Sequence, residues 1–293
     1  MADFRALARH HEPIRAYIRH RRWIDRSGVL AYAPNTECSA FSIDGFGFRR
    51  GELNGTPYDL NAAFSGQPYG LVLGSSHVFG FGLARDAQTI PSQLAAQTGM
   101  PCLNLSFPEA QLQSLHAVAL RICAQAPQAP QFIALLPGGT LTRYAFVRDC
   151  DPLFGVPDFQ KGAIAANLPD SPTETAAFRS LLTYARFWIG QIATLAQTQG
   201  CPLLFHPEHT AFEKPQLSEA EKSCRLTVPQ SDPDRWRFET HRLRYAAYTD
   251  AILGALPTSA RIANVDPARL SYLDEFHYTA DGAAQIATAL ATA

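Results

Sequence analysis

Residues 69–80 read YGLVLGSSHVFG: a short apolar run from Tyr69 to Leu73, then a glycine and two adjacent serines. A run of this length bounded by Gly and Ser has the character of a strand buried on both faces. If its sheet is parallel, the serines stand at a carboxyl edge, which is where ligands of open α/β sheets bind. The stretch therefore poses two questions: whether the other strands run the same way, and whether a base reaches Ser75 or Ser76.

Outward from this run, short apolar segments alternate with longer amphipathic ones. Strands are expected at 70–75, 101–107, 131–137, 201–206 and 261–266, with helices at 90–98, 109–124, 174–199 and 237–256 and a last helix from 280 to the C-terminus. Strands alternating with helices imply right-handed crossovers and a parallel sheet. The helix expected at 174–199 repeats Phe178, Leu181, Leu182, Ala185, Trp188, Ile189 and Ile192 at three- and four-residue spacing, one apolar stripe, so Tyr184 and Trp188 are read as core. The expected fold class is α/β: a three-layer α/β/α domain over 69–293 with a five-stranded parallel, flavodoxin-like doubly wound sheet. An N-terminal helical and extended segment, 1–68, precedes it.

The composition narrows the function. With 293 residues, 46% hydrophobic and 17% charged, the chain can bury a large core. A net charge of −1 gives no global attraction to nucleic acid or anionic membranes, so no nucleic-acid partner is expected. No stretch approaches the roughly 18 apolar residues of a membrane helix, and the Arg-rich start lacks a signal-peptide apolar region; the expectation is a cytoplasmic chain without a transmembrane segment. Arg5, Arg9, Arg15, Arg19, Arg21, Arg22 and Arg26 suggest a basic helix, bent or interrupted at Pro13, with a solvated face or an anionic partner.

Cys38, Cys102, Cys123, Cys150, Cys201 and Cys224 show no CxxC spacing and are expected to be reduced, mostly buried thiols. His206, Glu208, His209 and Glu213 lack the helical i, i+4 histidine pair of a metal motif, and Gly80-Phe81-Gly82 and Gly138-Gly139 lack the further spacing of a nucleotide fingerprint. No metal and no cofactor are expected. The segment 140–173, rich in Pro and Gly and long for a connection, reads as an insertion walling the substrate site.

A base for the serine lies near the other end of the chain. The loop between the last strand and the last helix starts from the same sheet edge and contains Asp274 and His277. First and last strands of such a sheet lie roughly 15 Å apart at ~4.8 Å per strand, and the stretch from Asp266 to His277 spans about 35 Å when extended. A neutral imidazole takes the serine proton, and a carboxylate fixes its tautomer and stabilises its charged form. Asp274 suits that role better than Glu275, since adjacent residues in an extended loop point apart.

These residues carry a resemblance to the SGNH (GDSL) hydrolase superfamily. Gly74-Ser75-Ser76-His77-Val78-Phe79-Gly80 resembles its GDS-x-x-x-G block, and Asp274-Glu275-Phe276-His277 its D-x-x-H block. The resemblance extends to Phe79-Gly80-Phe81-Gly82, to Asn104-Leu105-Ser106, and to Ser42-Ile43-Asp44-Gly45-Phe46-Gly47-Phe48-Arg49. The last is similar to a lead-in of polysaccharide-associated members.

The resemblance implies Ser76 as nucleophile, His277 as base and Asp274 as its carboxylate, with Ser106 donating a backbone N–H to an oxyanion and His77 lining the pocket or touching substrate. Ser75 stands in place of the usual aspartate, and Ser106 in place of a glycine. The third block of the family carries an asparagine where this chain reads Leu136-Pro137-Gly138-Gly139-Thr140-Leu141-Thr142-Arg143. Loss of one oxyanion donor costs about 3 kcal/mol of transition-state stabilisation; Thr140 or Arg143 is the expected replacement, with Gly139 expected at the oxyanion or substrate site. The activity implied is a serine esterase or deacetylase acting on an O-acylated carbohydrate or small-molecule ester. An O-acyltransferase using the same site, or an inactive glycan- or partner-binding module, are the alternatives.

Overall fold

The computed structural model describes residues 11–20, 24–25, 30–108, 110–137, 176–207, 209–224, 246–247, 249–274 and 276–293. Five strands form one sheet: β1 (Gly70–Gly74), β2 (Cys102–Ser106), β3 (Ile133–Leu136), β4 (Leu203–Phe205) and β5 (Ala260–Ile262), in the order β2-β1-β3-β4-β5 and parallel throughout. This is the flavodoxin-like order expected above. The chain reverses its direction of travel across the sheet at β1, so the crevice for a ligand opens beyond the ends of β1 and β3.

Strand alternation sorts the core into two layers. Leu71, Leu73, Leu103, Leu105, Ile133, Leu135, Leu203 and Phe205 point to one face, where they pack with α4 (Leu112–Gln125) and α5 (Ala176–Thr198) through Leu115, Ile122, Ala185 and Ile189. Val72, Ala134, Leu136 and Leu204 point to the other, against α3 (Ile90–Thr98) and α6 (Ala280–Thr292) through Leu94, Ala95, Ile286 and Leu290. A period of two in each strand and a stripe on each helix produce the three layers. Ala185, Ile189 and Ile192 are buried as expected, with Tyr184 and Trp188 packed at the margin of the same layer.

Several boundaries differ from the sequence reading. The last strand, expected at 261–266, ends at Ile262, because Asp266 caps a 3-10 turn at Pro267–Arg269 by accepting the Ala268 amide. Expected at 109, α4 starts at Leu112 behind an extended Gln111. Of the helix expected at 237–256, residues 237–245 and 248 lie outside the described residues, as does the insertion 140–173. Of the four cysteines whose burial is described, Cys102 is buried and Cys38, Cys123 and Cys201 are partly exposed, which corrects for these four the expectation of mostly buried thiols. Among the described residues no helix is long and apolar enough to cross a membrane.

The N-terminal lead-in is packed onto the α/β body. Pro13 occupies the first turn of α1 (Glu12–His20), where its missing N–H costs nothing; residues 1–10 of the expected basic helix lie outside the described residues. Ile14, Ala16 and Tyr17 are buried, and Arg15 and Arg19 face solvent. A hairpin, Gly51–Leu53 with Thr56–Tyr58, turns through Asn54 and Gly55, both at positive φ, and the Tyr58 hydroxyl donates to the Cys102 carbonyl at 2.9 Å. Ile14, Tyr17, Tyr32, Phe41 and Ile43 form a further apolar cluster with Phe79 and Phe81, the residues that follow the two serines.

Candidate active site

Leaving β1 at Gly74, the chain turns sharply and enters one helical turn, α2 (Ser76–Phe79), which Gly80 ends in the left-handed conformation at φ 84°. Gly74 is required by close approach: a Cβ there would lie 2.3 Å from Val78 Cγ2 and 2.9 Å from the Leu136 carbonyl oxygen. Ser75 is buried, and Ser76, the first residue of the turn, is partly exposed. The Ser76 amide belongs to the first turn of α2, whose N–H groups have no intrahelical acceptor.

His277 reaches this serine from the loop before α6. Its Nε2 is 2.9 Å from Ser76 Oγ, and its Nδ1 is 2.7 Å from Asp274 Oδ2. Asp274 accepts through its other oxygen from the amides of Phe276 at 2.8 Å and His277 at 2.7 Å, so one carboxylate folds the loop and holds the ring. With Nδ1–H donating to Asp274, Nε2 is left as acceptor for the serine O–H. Burial alone would push the Asp274 carboxyl up; the charge and hydrogen bond of His277, with the two amides, hold it below the usual carboxylate range. Asp274 and His277 are both buried. The arrangement can deprotonate the Ser76 hydroxyl and stabilise the imidazolium that results.

His77 is buried beside them, its ring stacked on that of His277 with centroids 4.9 Å apart and its Nδ1 3.1 Å from Ser75 Oγ. Phe81 covers another side of the His277 ring at 4.3 Å. Ser106 stands at the end of β2 in register with Gly74; its hydroxyl is buried and donates to Asn104 Oδ1. Gly139, Thr140 and Arg143 lie outside the described residues, and so does Glu275.

Two contributors were not singled out from the sequence. Asn104 Nδ2 donates to the Val78 carbonyl at 3.2 Å, fastening β2 to α2. The Arg49 guanidinium reaches the carbonyls of Phe79 and Gly80 at the other end of the same turn. Both belong to segments that carry the family resemblance, which is the signal that marks them; their partners are long-range and invisible to local pattern.

His209 Nδ1 lies 2.9 Å from Glu213 Oε1 and its Nε2 3.2 Å from Asn264 Oδ1, and the His206 ring stands perpendicular to it, 5.7 Å away. Full burial, with His209 alongside, holds His206 well below the ordinary imidazole range. Among the described residues no group of three or more His, Cys, Asp and Glu side chains is arranged to hold a metal ion; Glu208 lies outside them.

A 2-1-3-4-5 parallel sheet, a serine just past its first strand and an Asp-x-x-His loop before the final helix are the arrangement that the resemblance to the SGNH superfamily implies. Solved structures similar to the chain include a lipolytic protein of the G-D-S-L family from Veillonella parvula, at 11% identity and TM-score 0.45 over 75% of this chain and 94% of that one. A family 2 carbohydrate esterase with a carbohydrate-binding domain from Corynascus (Myceliophthora fergusii) is similar at 11% identity and TM-score 0.43, over 92% and 80% of the two chains. The acetylxylan esterase Axe2 from Geobacillus stearothermophilus is similar at 11% identity and TM-score 0.39, over 76% and 91%. No protein-family model matches the chain, and a search of the curated proteins found no match. Likenesses at these values transfer no activity, and the chemistry of the chain stands on the Ser76–His277–Asp274 geometry.

Proposed function

We propose that the protein is an SGNH-type serine esterase that cleaves an O-acyl ester through an acyl-serine intermediate. The observation that carries this reading is the 2.9 Å approach of Ser76 Oγ to His277 Nε2 across 201 residues of sequence, with Asp274 behind the ring. His277 takes the Ser76 proton as Oγ attacks the ester carbonyl, and the imidazolium returns it to the departing alkoxide. Water, deprotonated by His277 in turn, hydrolyses the acyl-serine and regenerates the hydroxyl. The Ser76 and Ser106 backbone amides are the proposed oxyanion donors, with Thr140 or Arg143 proposed for the position of the family asparagine and Gly139 for the substrate site beside it. The Ser42–Arg49 resemblance to polysaccharide-associated members supports an O-acylated carbohydrate as substrate, an associational argument.

The test is turnover of p-nitrophenyl acetate and labelling by a fluorophosphonate probe. Both are expected in the wild type and absent in Ser76→Ala, with His277→Ala strongly impaired; labelling or turnover unchanged in Ser76→Ala overturns the proposal. A sugar acceptor added with the acyl donor separates transfer from hydrolysis, since transfer consumes donor into acylated sugar and not free acid.

A further inference from the structure

The turn that carries Ser76 is too short to hold itself in place. Its backbone bonds run from the amides of Phe79 to Ser75, Gly80 to Ser76 and Phe81 to Ser76, and a single helical turn is unstable without tertiary support. That support converges on its C-terminal end. Arg49 is 2% exposed, and every guanidinium nitrogen donates: Nη1 to the carbonyls of Phe79 at 3.1 Å and Gly80 at 2.8 Å, Nη2 to Ala40 at 2.8 Å, and Nε to Asp86 Oδ1 at 2.6 Å. Asp86 is itself oriented by Ser42, whose hydroxyl and amide donate to Oδ2 at 2.6 and 3.1 Å. The guanidinium also lies over the rings of Phe41 and Phe79. Gly80 leaves room for it, because a Cβ there would come 2.9 Å from Arg49 Nη1 and 2.7 Å from Thr89 Cγ2.

We propose that Arg49 is a positioning residue for the acyl-transfer site, setting the approach of Ser76 Oγ to His277 Nε2 from the far end of the nucleophile's turn. The inference rests on the esterase reading above. Two routes lead from the clamp to the reacting atoms. One runs through α2 to Ser76; the other runs through Phe81, one residue past Gly80, whose ring lies 4.3 Å from that of His277. A shift of residues 79–81 therefore disturbs nucleophile and base by separate routes and changes their approach. Lysine has the charge but not the planar fork that serves four acceptors at once, so Arg49→Lys is a substantial change here.

The experiment compares wild type, Arg49→Lys and Asp86→Asn on p-nitrophenyl acetate, with active sites counted by the end point of fluorophosphonate labelling and kcat expressed per labelled site. A misplacement near 1 Å costs about 100-fold. Arg49→Lys is accordingly expected to lose tens- to about 100-fold in kcat per site and in labelling rate, with KM little changed. Asp86→Asn, which keeps the guanidinium but removes its anchor, is expected to lose less in the same direction. A purely structural role would lower the number of labelled sites and leave kcat per site at the wild-type value, and that result overturns the proposal. If Arg49→Lys does not fold, wild-type kcat per site in Asp86→Asn overturns it equally. A wild type that neither labels nor turns over ester defeats the esterase reading, a separate outcome from active wild type with unaltered variants.

Discussion

The rings of His77 and His277 are stacked, 4.9 Å between centroids and 27° between planes, although the two residues come from opposite ends of the domain. The proposed reaction makes His277 cationic each time Ser76 gives up its proton, so whatever lies on its face should be neutral. Like charges at this separation repel by about 3 kcal/mol at an effective dielectric constant of ~20. His77→Lys is therefore expected to lower kcat/KM by about 100-fold at neutral pH. His77→Phe, which keeps an aromatic face without charge, is expected to stay within about tenfold of wild type. Equal losses in the two variants would mean that the ring serves only to fill space.

Asp274 makes four contributions with one carboxylate: a charge, a hydrogen bond to Nδ1, and two bonds to loop amides. Asn at this position keeps the shape but presents an amide able to offer N–H to Nδ1, favouring the tautomer that carries its proton on Nε2. In a serine protease triad the same change costs about 10⁴ in kcat. Asp274→Asn is expected to fall by about 10³- to 10⁴-fold in fluorophosphonate labelling rate while remaining folded; a loss under tenfold would remove Asp274 from the triad.

How much of this site was legible in the chain depends on whether the signal was local. Gly74-Ser75-Ser76 behind an apolar run is local, and so is Asp274 three residues before His277, and strand alternation at Leu71, Val72 and Leu73 sorts the core into its two layers. Their convergence could be argued from sheet geometry because β1 and β5 share an edge direction. The clamp from Arg49 to Phe79 and Gly80, and the Asn104 bond to Val78, join segments whose spacing carries no periodic signal. Strand ends were misjudged where a cap competed with the ladder: Asp266 looked like the end of a strand and instead opens a 3-10 turn.

His209 and Asp274 make stability depend on pH in opposite directions. Both ring nitrogens of His209 face oxygens, Glu213 Oε1 and Asn264 Oδ1, an arrangement that favours the doubly protonated ring. Burial works against that charge, but the hydrogen bond and charge of Glu213, the Asn264 bond and nearby Asp266 raise its pKa above the ordinary value. Its contribution is then complete below about 6.5 and is lost as pH rises through the folded value. Asp274, held low, contributes fully above about 3.9 and loses that contribution as pH falls through its folded value. The wild-type Tm is expected to decline from about pH 6.5 upward, and His209→Gln to flatten that decline; Asp274→Asn is expected to flatten the acid limb only. Identical alkaline slopes in wild type and His209→Gln would show that the His209–Glu213 pair does not set the alkaline limit.

Beneath the loop that carries Asp274 lies a buried ion pair, Lys214 Nζ to Glu221 Oε1 at 2.7 Å, with both side chains nearly inaccessible. Lys214 also donates to the Leu270 carbonyl at 2.6 Å, and Glu221 accepts from the Tyr272 amide at 3.2 Å and the Ser218 amide at 2.7 Å. The pair thus ties residues 270–272 to the segment that follows His209. Lys214→Met strands the Glu221 charge and frees Leu270, and is expected to cost about 3–5 kcal/mol of unfolding free energy. Replacing both partners by apolar groups removes the stranded charge, so Lys214→Met with Glu221→Leu should recover most of that loss in urea unfolding. Recovery of stability need not restore catalysis, because the double variant also lacks the bonds to Leu270 and Tyr272 that hold the approach to Asp274. Largely recovered stability with lowered kcat is the expected combination, and wild-type kcat in the double variant would show that these tethers do not bear on the position of His277.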